Sequence, residues 1–130
     1  MEHPDPATVA AGWRLLVART ARQLEHPDPE VHAEWHRLHG LMPQLGELLH
    51  VRHGASEVWL FGSLAASCPE ASGFHLHSDV DLAVVGVAAN QLGRAEGEAA
   101  GLTRCVVELF DLGSLPADFA ARIRREGVAL

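Results

Sequence analysis

The chain has 130 residues, 48% of them apolar, which is enough for one globular domain built around a single hydrophobic core. Its formal net charge of −7 argues against generic nucleic-acid binding, because such binding relies on Lys and Arg side chains that neutralise phosphates. No apolar run approaches the roughly 20 residues that span a bilayer, and the sequence begins without the basic flank and apolar stretch of a signal peptide, so we expect a cytoplasmic protein.

Two copies of the sequence His-Pro-Asp-Pro, at residues 3–6 and 26–29, mark the starts of two predicted helices. In each copy an Asp that can cap a helix precedes a Pro whose φ angle already suits the first helical turn. The first helix is predicted from about Pro6 to Leu24, and the second begins at Pro29. Apolar residues recur at helical spacing along the second helix and are expected to be buried: Val31, Trp35, Leu38 and Met42.

Pro43 allows two interpretations of where the second helix ends. It either kinks one long helix or separates that helix from a third helical segment, which reaches about His53. The apolar period then changes from helical to extended. We therefore divide the single predicted domain, residues 1–130, into N-terminal helices over 1–54 and an α/β core over 55–130.

Three short apolar segments predict β-strands in the second half of the chain. The middle segment contains the run Leu82–Val85, which is typical of a strand buried on both faces. A loop over residues 64–77, with one helical turn stopped by Pro69, is predicted between the first strand and the second. The three predicted strands are Glu57–Phe61, Asp79–Val85 and Cys105–Asp111.

Two further helices are predicted around the third strand. The first covers residues 88–102, and the second is a closing helix from Leu115 to Glu126. The first carries glycine at every fourth position, which predicts a bare side that lies close against the sheet: Gly93, Gly97 and Gly101.

Two acidic residues and a glycine-serine pair are the candidate functional residues. Asp79 and Asp81 are alternate residues of one strand, so their side chains project to the same side with Cβ atoms about 6–7 Å apart. Such a pair can hold Mg²⁺, a hard cation that prefers oxygen ligands, although an Asp-x-Asp pair alone also fits a solvated strand edge. Gly62 lets the backbone approach a ligand closely, and Ser63 offers a hydroxyl and an N–H to a phosphate oxygen. The two features together favour a functional site, and argue against a merely solvated strand edge.

The sequence Phe61-Gly62-Ser63, followed on the next strand by Ser78-Asp79-Val80-Asp81-Leu82, resembles the nucleotidyltransferases of the DNA polymerase β superfamily. It is similar in particular to the minimal, single-domain members that act as antitoxins beside HEPN-type toxins. The resemblance runs from about Val58 to the C-terminus. It implies an α+β nucleotidyltransferase fold, in which a short mixed β-sheet is packed with helices, here with an N-terminal helical extension. The family's third carboxylate lies on a later strand, and Glu108 stands at the matching position.

This resemblance implies an enzyme that transfers a nucleoside monophosphate, AMP from ATP, to a hydroxyl acceptor such as a group on a partner toxin. Asp79, Asp81 and Glu108 would bind Mg²⁺ and form the catalytic set, with Glu108 receiving the proton of the attacking hydroxyl. Gly62 and Ser63 would bind the terminal phosphates. Catalysis of this kind depends mostly on positioning and charge neutralisation.

Three departures from the family pattern leave a second hypothesis open. Fifteen residues separate Ser63 from Asp79, more than the family usually has, although a surface loop absorbs the excess at little entropic cost. Ala66-Ser67 replaces the usual Arg-Gly, which removes a phosphate contact, and Glu108 replaces Asp. The alternative is a catalytically weak or inactive binding module that neutralises a toxin by contact. An antibiotic-modifying transferase is a weaker third idea, because such enzymes usually carry a further substrate-binding domain.

Histidine and cysteine side chains could form a different metal site. On the second predicted helix no Glu in a His-Glu-x-x-His pattern and no Cys accompanies the histidines, so a surface or partly buried structural role is expected there. The cysteines lack Cys-x-x-Cys spacing. We therefore expect a structural role for His32, His36 and His39. His75 and His77 are expected to lie in a variable polar loop. Cys68 and Cys105 are expected to be free thiols.

Overall fold

The computed structural model describes residues 28–130, so the helix predicted between Pro6 and Leu24 lies outside the described residues. The described part contains four α-helices and a four-stranded sheet. In chain order the helices α1 to α4 are Pro29–Glu47, Pro69–Ser72, Leu92–Thr103 and Ala117–Glu126. The strands β1 to β4 are Glu57–Phe61, Val80–Val85, Val107–Asp111 and Val128–Ala129.

Helix α1 begins where the sequence predicts. The Asp28 side chain caps it by accepting a hydrogen bond from the Glu30 N–H at 2.9 Å. Pro43 lies inside one continuous helix, which passes into a π-helical segment, Leu48–Arg52. The single-helix alternative is therefore correct. Of the apolar residues expected to be buried, Val31 is half-buried. The other three are buried: Trp35, Leu38 and Met42.

The sheet is mixed, with the strand order β3-β2-β1-β4. β1 pairs antiparallel with β2 and with β4, whereas β2 and β3 are parallel and α3 connects them. β1 has the predicted bounds, and β2 and β3 begin slightly later than predicted. The two-residue strand β4 was not predicted, because so short a segment carries no alternation to recognise.

Successive side chains of each strand point to opposite faces of the sheet, and apolar side chains form a core on each face. On the first face Leu60, Leu82 and Leu109 pack with α1 and α3 in the larger cluster. On the second face Ala83 packs with Ile123 of α4 in a smaller cluster. The sheet therefore lies between the helices α1 and α3 and the helix α4.

The prediction for the glycines of α3 is wrong. All three are exposed, and a Cβ added at Gly93, Gly97 or Gly101 would meet no atom within 4 Å. The buried side of the helix instead carries small side chains, which are fully enclosed: Ala95, Ala99 and Thr103. Alanine, and not glycine, lets this helix lie close to its neighbours.

The segment between β1 and β2 is more ordered than predicted. A 3₁₀ turn covers Ser63–Ala65, and α2 begins at Pro69, which was expected to stop a helical turn. Proline suits the first position of a helix, because the N–H that it lacks would have no partner there. Phe74 anchors the end of the segment in the core, with its ring centroid 5.3 Å from that of Trp35.

Strand β3 lies at one edge of the sheet. There the backbone N–H of Leu109 donates to Oε2 of Glu96, at 3.0 Å, so a side chain of α3 satisfies a group that another strand would otherwise bind. Among the residues that the structure describes, no helix is long and apolar enough to cross a membrane.

Candidate active site

Strand register brings the predicted carboxylates to one end of one sheet face. Asp81 lies opposite Glu108 across the parallel β2–β3 pair and opposite Phe61 across the antiparallel β1–β2 pair. Residues directly opposite each other project to the same face, which here is the face that carries α4. Asp79 lies just before the first residue of β2, outside the paired register, and its negative charge acts on the Asp81 carboxylate.

The carboxylate of Asp81 lies in an unfavourable environment for an anion. Burial, and after it the negative charges of Glu108 and Asp79, together raise the pKa of this half-buried group to about 6. The ionised group has lost part of its hydration and faces two like charges. A cation bound at this point would relieve that repulsion.

Gly62 turns the chain directly beside this carboxylate. Its φ angle is +76°, a conformation that L side chains rarely adopt, and an added Cβ would overlap Oδ2 of Asp81. Glycine is therefore required both for the backbone conformation and for the close approach. A phosphate group held by the Gly62–Ser63 turn would lie next to the acidic side chains.

Two hydrogen bonds fix the chain immediately after Gly62. The Ser72 hydroxyl donates to the Ser63 carbonyl oxygen at 2.6 Å, and Nε2 of His39 lies 2.8 Å from the Leu64 carbonyl oxygen. The turn is thus held from both α2 and α1. Sequence reasoning missed these contacts, because neither side chain belongs to a motif and both partners are backbone atoms distant in the chain.

A cleft of about 470 Å³ opens beside the turn. Phe61, Gly62 and Ser63 form one side of it, and Phe119 and Arg122 of α4 form the other. The rings of Phe61 and Phe119 meet edge to face, with centroids 5.9 Å apart. The cleft and the acidic side chains share Gly62 as a boundary, so a ligand in the cleft would extend towards Asp81.

The charged side chains of this cleft come from the closing helix. Arg122 donates through Nε to Oε2 of Glu126 at 2.9 Å, and both residues line the cleft. Sequence reasoning assigned neither residue a functional role, because an Arg and a Glu four positions apart on a helix are an ordinary surface pair.

The donors at the sheet end suit a hard divalent cation, because Asp79, Asp81 and Glu108 all offer carboxylate oxygens. Over residues 28–130, however, no three His, Cys, Asp or Glu side chains are grouped closely enough to hold a metal ion. The register fixes a shared face, whereas closing the three side chains around one ion would require them to rotate. Burial, and after it the like charges of Glu108 and Asp79, raise the pKa of Asp81. Those like charges oppose such closure until a cation neutralises them.

Of the three histidines of α1, two have hydrogen-bond partners and His36 is exposed, as expected for a surface or partly buried structural role. His32 is hydrogen-bonded to Glu70 of α2, and His39 holds the turn. His75 and His77 are exposed in the loop before β2. The cysteines are free thiols: Cys68 and Cys105.

Neither a protein-family model nor a curated protein matches the sequence. Solved structures do match. The structure of a minimal nucleotidyltransferase is 26% identical, aligns over 72% of this chain and 95% of its own, and gives a TM-score of 0.59. A mutant of the toxin–antitoxin MntA-HpeT is 21% identical over 71% of this chain and 70% of its own, with a TM-score of 0.52. A toxin–antitoxin structure with AMP-PNP is 19% identical over 69% of each chain, with a TM-score of 0.53.

The chain has the minimal nucleotidyltransferase fold. The fold class predicted from the sequence, a short mixed sheet packed with helices, is therefore confirmed. Within this nucleotidyltransferase fold the predicted phosphate turn and the predicted carboxylates lie at one end of the sheet. The roles assigned to Asp79, Asp81 and Glu108 as metal ligands, and to Gly62 and Ser63 as phosphate contacts, stay predictions.

Proposed function

We propose that this chain is a Mg²⁺-dependent nucleotidyltransferase that transfers AMP from ATP to a hydroxyl group of a partner toxin. The observation that carries the proposal is the position of Asp81, which lies opposite Glu108 and directly against Gly62. Acidic groups suited to Mg²⁺ and a turn suited to phosphate are thereby adjacent, in a fold whose structural relatives include a complex with AMP-PNP.

Asp79, Asp81 and Glu108 would hold Mg²⁺ through their carboxylate oxygens. When bound, the ion supplies the positive charge that lets a triphosphate approach an acidic site. The need for such a cation is acute in this chain, because its formal net charge is −7 and Asp81 already repels its neighbours.

The residues of the site would have separate roles in the transfer. The Gly62–Ser63 turn orients the terminal phosphates, and Glu108 accepts the proton of the acceptor hydroxyl. The hydroxyl oxygen forms a bond to the α-phosphorus, the bond from that phosphorus to the bridging oxygen breaks, and pyrophosphate leaves. Glu108 is exposed whereas Asp79 and Asp81 are half-buried, so Glu108 is the carboxylate that a protein acceptor can reach.

A toxin is the proposed acceptor because two of the structural relatives are toxin–antitoxin proteins. By the sequence resemblance this toxin would be of the HEPN type. The product of a neighbouring gene is the first candidate to test.

The decisive experiment follows the α-phosphate. The purified protein is incubated with Mg²⁺, the candidate toxin and ATP labelled at the α-phosphate, and label on the toxin is measured. Asp81→Asn is expected to lower the rate of labelling by about 100-fold or more, because it removes a charge that holds the metal. Asp118→Asn, at the exposed start of α4 and outside the cleft, is the matched control and should leave the rate unchanged.

Neutralisation by contact is the second candidate function. It is favoured by the absence, among residues 28–130, of three side chains already grouped to hold a metal, and by Glu at position 108. Toxin binding with no label transferred by the wild-type protein, and with equal binding by Asp81→Asn, would support this function and contradict the transferase.

A further inference from the structure

The cleft beside the turn contains one basic side chain among the described residues that line it. Arg122 projects from α4 into the cleft that Gly62 and Ser63 border on the other side. The residues that follow the turn in the lining, Ala65 and Ala66, are apolar. Among the described residues, the positive charge offered to an anion in this cleft therefore comes from Arg122.

The position of Arg122 complements that of the carboxylates. Gly62 touches the carboxylate of Asp81 on one side and lines the cleft on the other. A polyphosphate that passes the turn would consequently have the acidic, metal-binding end of the site at one end and a guanidinium at the other. A guanidinium binds phosphate oxygens in a bidentate manner, with two parallel N–H donors.

The hydrogen bond that Arg122 makes to Glu126 gives the residue little structural importance. Its side chain is 65% exposed, and its partner Glu126 lies one turn further along the same helix. An exposed pair of this kind contributes little to stability. Arg124 differs, because it bonds Glu57 and so ties α4 to β1.

We propose that Arg122 is a substrate-positioning residue that binds the β- and γ-phosphates of the nucleotide at the Gly62–Ser63 turn. The proposal rests on the proposed function and deepens it by assigning the protein's own phosphate-binding cation. Glu126 holds the guanidinium over the cleft in the free protein, and the phosphate oxygens take the place of its carboxylate when the nucleotide binds.

Calorimetric titration with Mg²⁺·ATP and Mg²⁺·AMP tests this assignment. Arg122→Gln is expected to weaken binding of Mg²⁺·ATP by about 10- to 100-fold, the range for a lost hydrogen bond between charged groups. Binding of Mg²⁺·AMP should change by less than about twofold, because AMP lacks the β- and γ-phosphates. Arg122→Lys, which keeps the charge but loses the fork of donors, should fall between the two.

Arg125→Gln is the matched control. Arg125 lies on the same helix with its side chain 71% exposed, is not part of the cleft lining and approaches Glu126 only to 4.0 Å. Its replacement changes the net charge by the same amount. Equal losses for Arg122→Gln and Arg125→Gln, or equal losses for ATP and AMP, would overturn the proposal.

The two proposals fail in different ways. Wild-type protein that binds Mg²⁺·ATP, loses that binding selectively in Arg122→Gln and transfers no label would refute the transferase and leave the role of Arg122 standing. Label transfer with undiminished ATP binding in Arg122→Gln would refute the role of Arg122 alone. Wild-type protein that binds no Mg²⁺·ATP would refute both.

Discussion

At the scale of single residues, Gly62 combines two requirements that no other amino acid meets. Replacing it with Ala introduces a strained positive φ and a methyl group that overlaps the Asp81 carboxylate. We expect Gly62→Ala to lower the free energy of unfolding by more than about 1 kcal/mol. Gly97→Ala, on the exposed side of α3 with open space around it, should instead raise that free energy by about 0.5–1 kcal/mol.

Urea unfolding of both glycine variants checks this contrast. A stable Gly62→Ala variant would mean that the turn and the carboxylate are not in contact in solution. Destabilisation by Gly97→Ala would contradict the finding that the glycines of α3 face open space.

Asp81 gives the metal-free protein a distinctive dependence on pH. The pKa of its carboxyl is 3.8 without the influence of the fold and about 6 in the folded protein. The folded protein therefore binds more protons than the unfolded chain between these values, and the free energy of unfolding falls as pH rises from about 4 to about 6. Asp81→Asn should then raise stability at pH 7 by roughly 1 kcal/mol, after allowance for solvent around the half-buried group, and change it little at pH 4.

Urea unfolding in the presence of EDTA, at pH 4 and at pH 7, measures this difference. Saturating Mg²⁺ should stabilise the wild-type protein and not the variant, and so reduce the gap between them. A variant that is no more stable than the wild-type protein at pH 7 without metal would show that neither burial nor the neighbouring charges destabilise the ionised Asp81 carboxylate.

At the scale of elements, the 3₁₀ turn after β1 depends on two helices for its position. Ser72 on α2 and His39 on α1 bind the carbonyl oxygens of Ser63 and Leu64. We expect Ser72→Ala to reduce the protection of the amides of residues 63–65 against hydrogen exchange and to weaken Mg²⁺·ATP binding several-fold, because about 0.5–1.5 kcal/mol of positioning is lost.

Ser67→Ala, in the exposed part of the same segment, is the control and should change neither quantity. Hydrogen exchange measured by mass spectrometry reports on the turn even where no nucleotide binds. Unchanged exchange in Ser72→Ala would show that α2 does not hold the turn.

Some features of the helices and strands can be predicted from the sequence, and others cannot. The bounds of β1 and the start of α1 follow from an uninterrupted apolar segment and from an Asp-Pro cap, both of which are local signals. The face of α3 could not be read in the same way, because Gly97 and Ala95 are both small and only the packed structure shows which side meets the core.

At the scale of the whole molecule, the sequence was informative about the fold and about the acidic end of the site. An Asp-x-Asp pair and a Gly-Ser turn lie at the adjoining ends of two neighbouring strands, so their proximity follows from strand pairing. The cleft is different, because Arg122 lies nearly 60 residues after Ser63 and lines the same cleft through the packing of α4 on β1. No periodicity or motif records such a contact.

The hydrogen bond from the Leu109 backbone to Glu96 has a consequence for how this molecule can assemble. A foreign strand that tried to extend the sheet beside β3 would find that donor already taken and a carboxylate in its path. Association by continuous sheet formation, the usual route to fibrils and to strand-exchanged dimers, is therefore disfavoured along that side. A protein that docks onto this chain would have to use side-chain surfaces there.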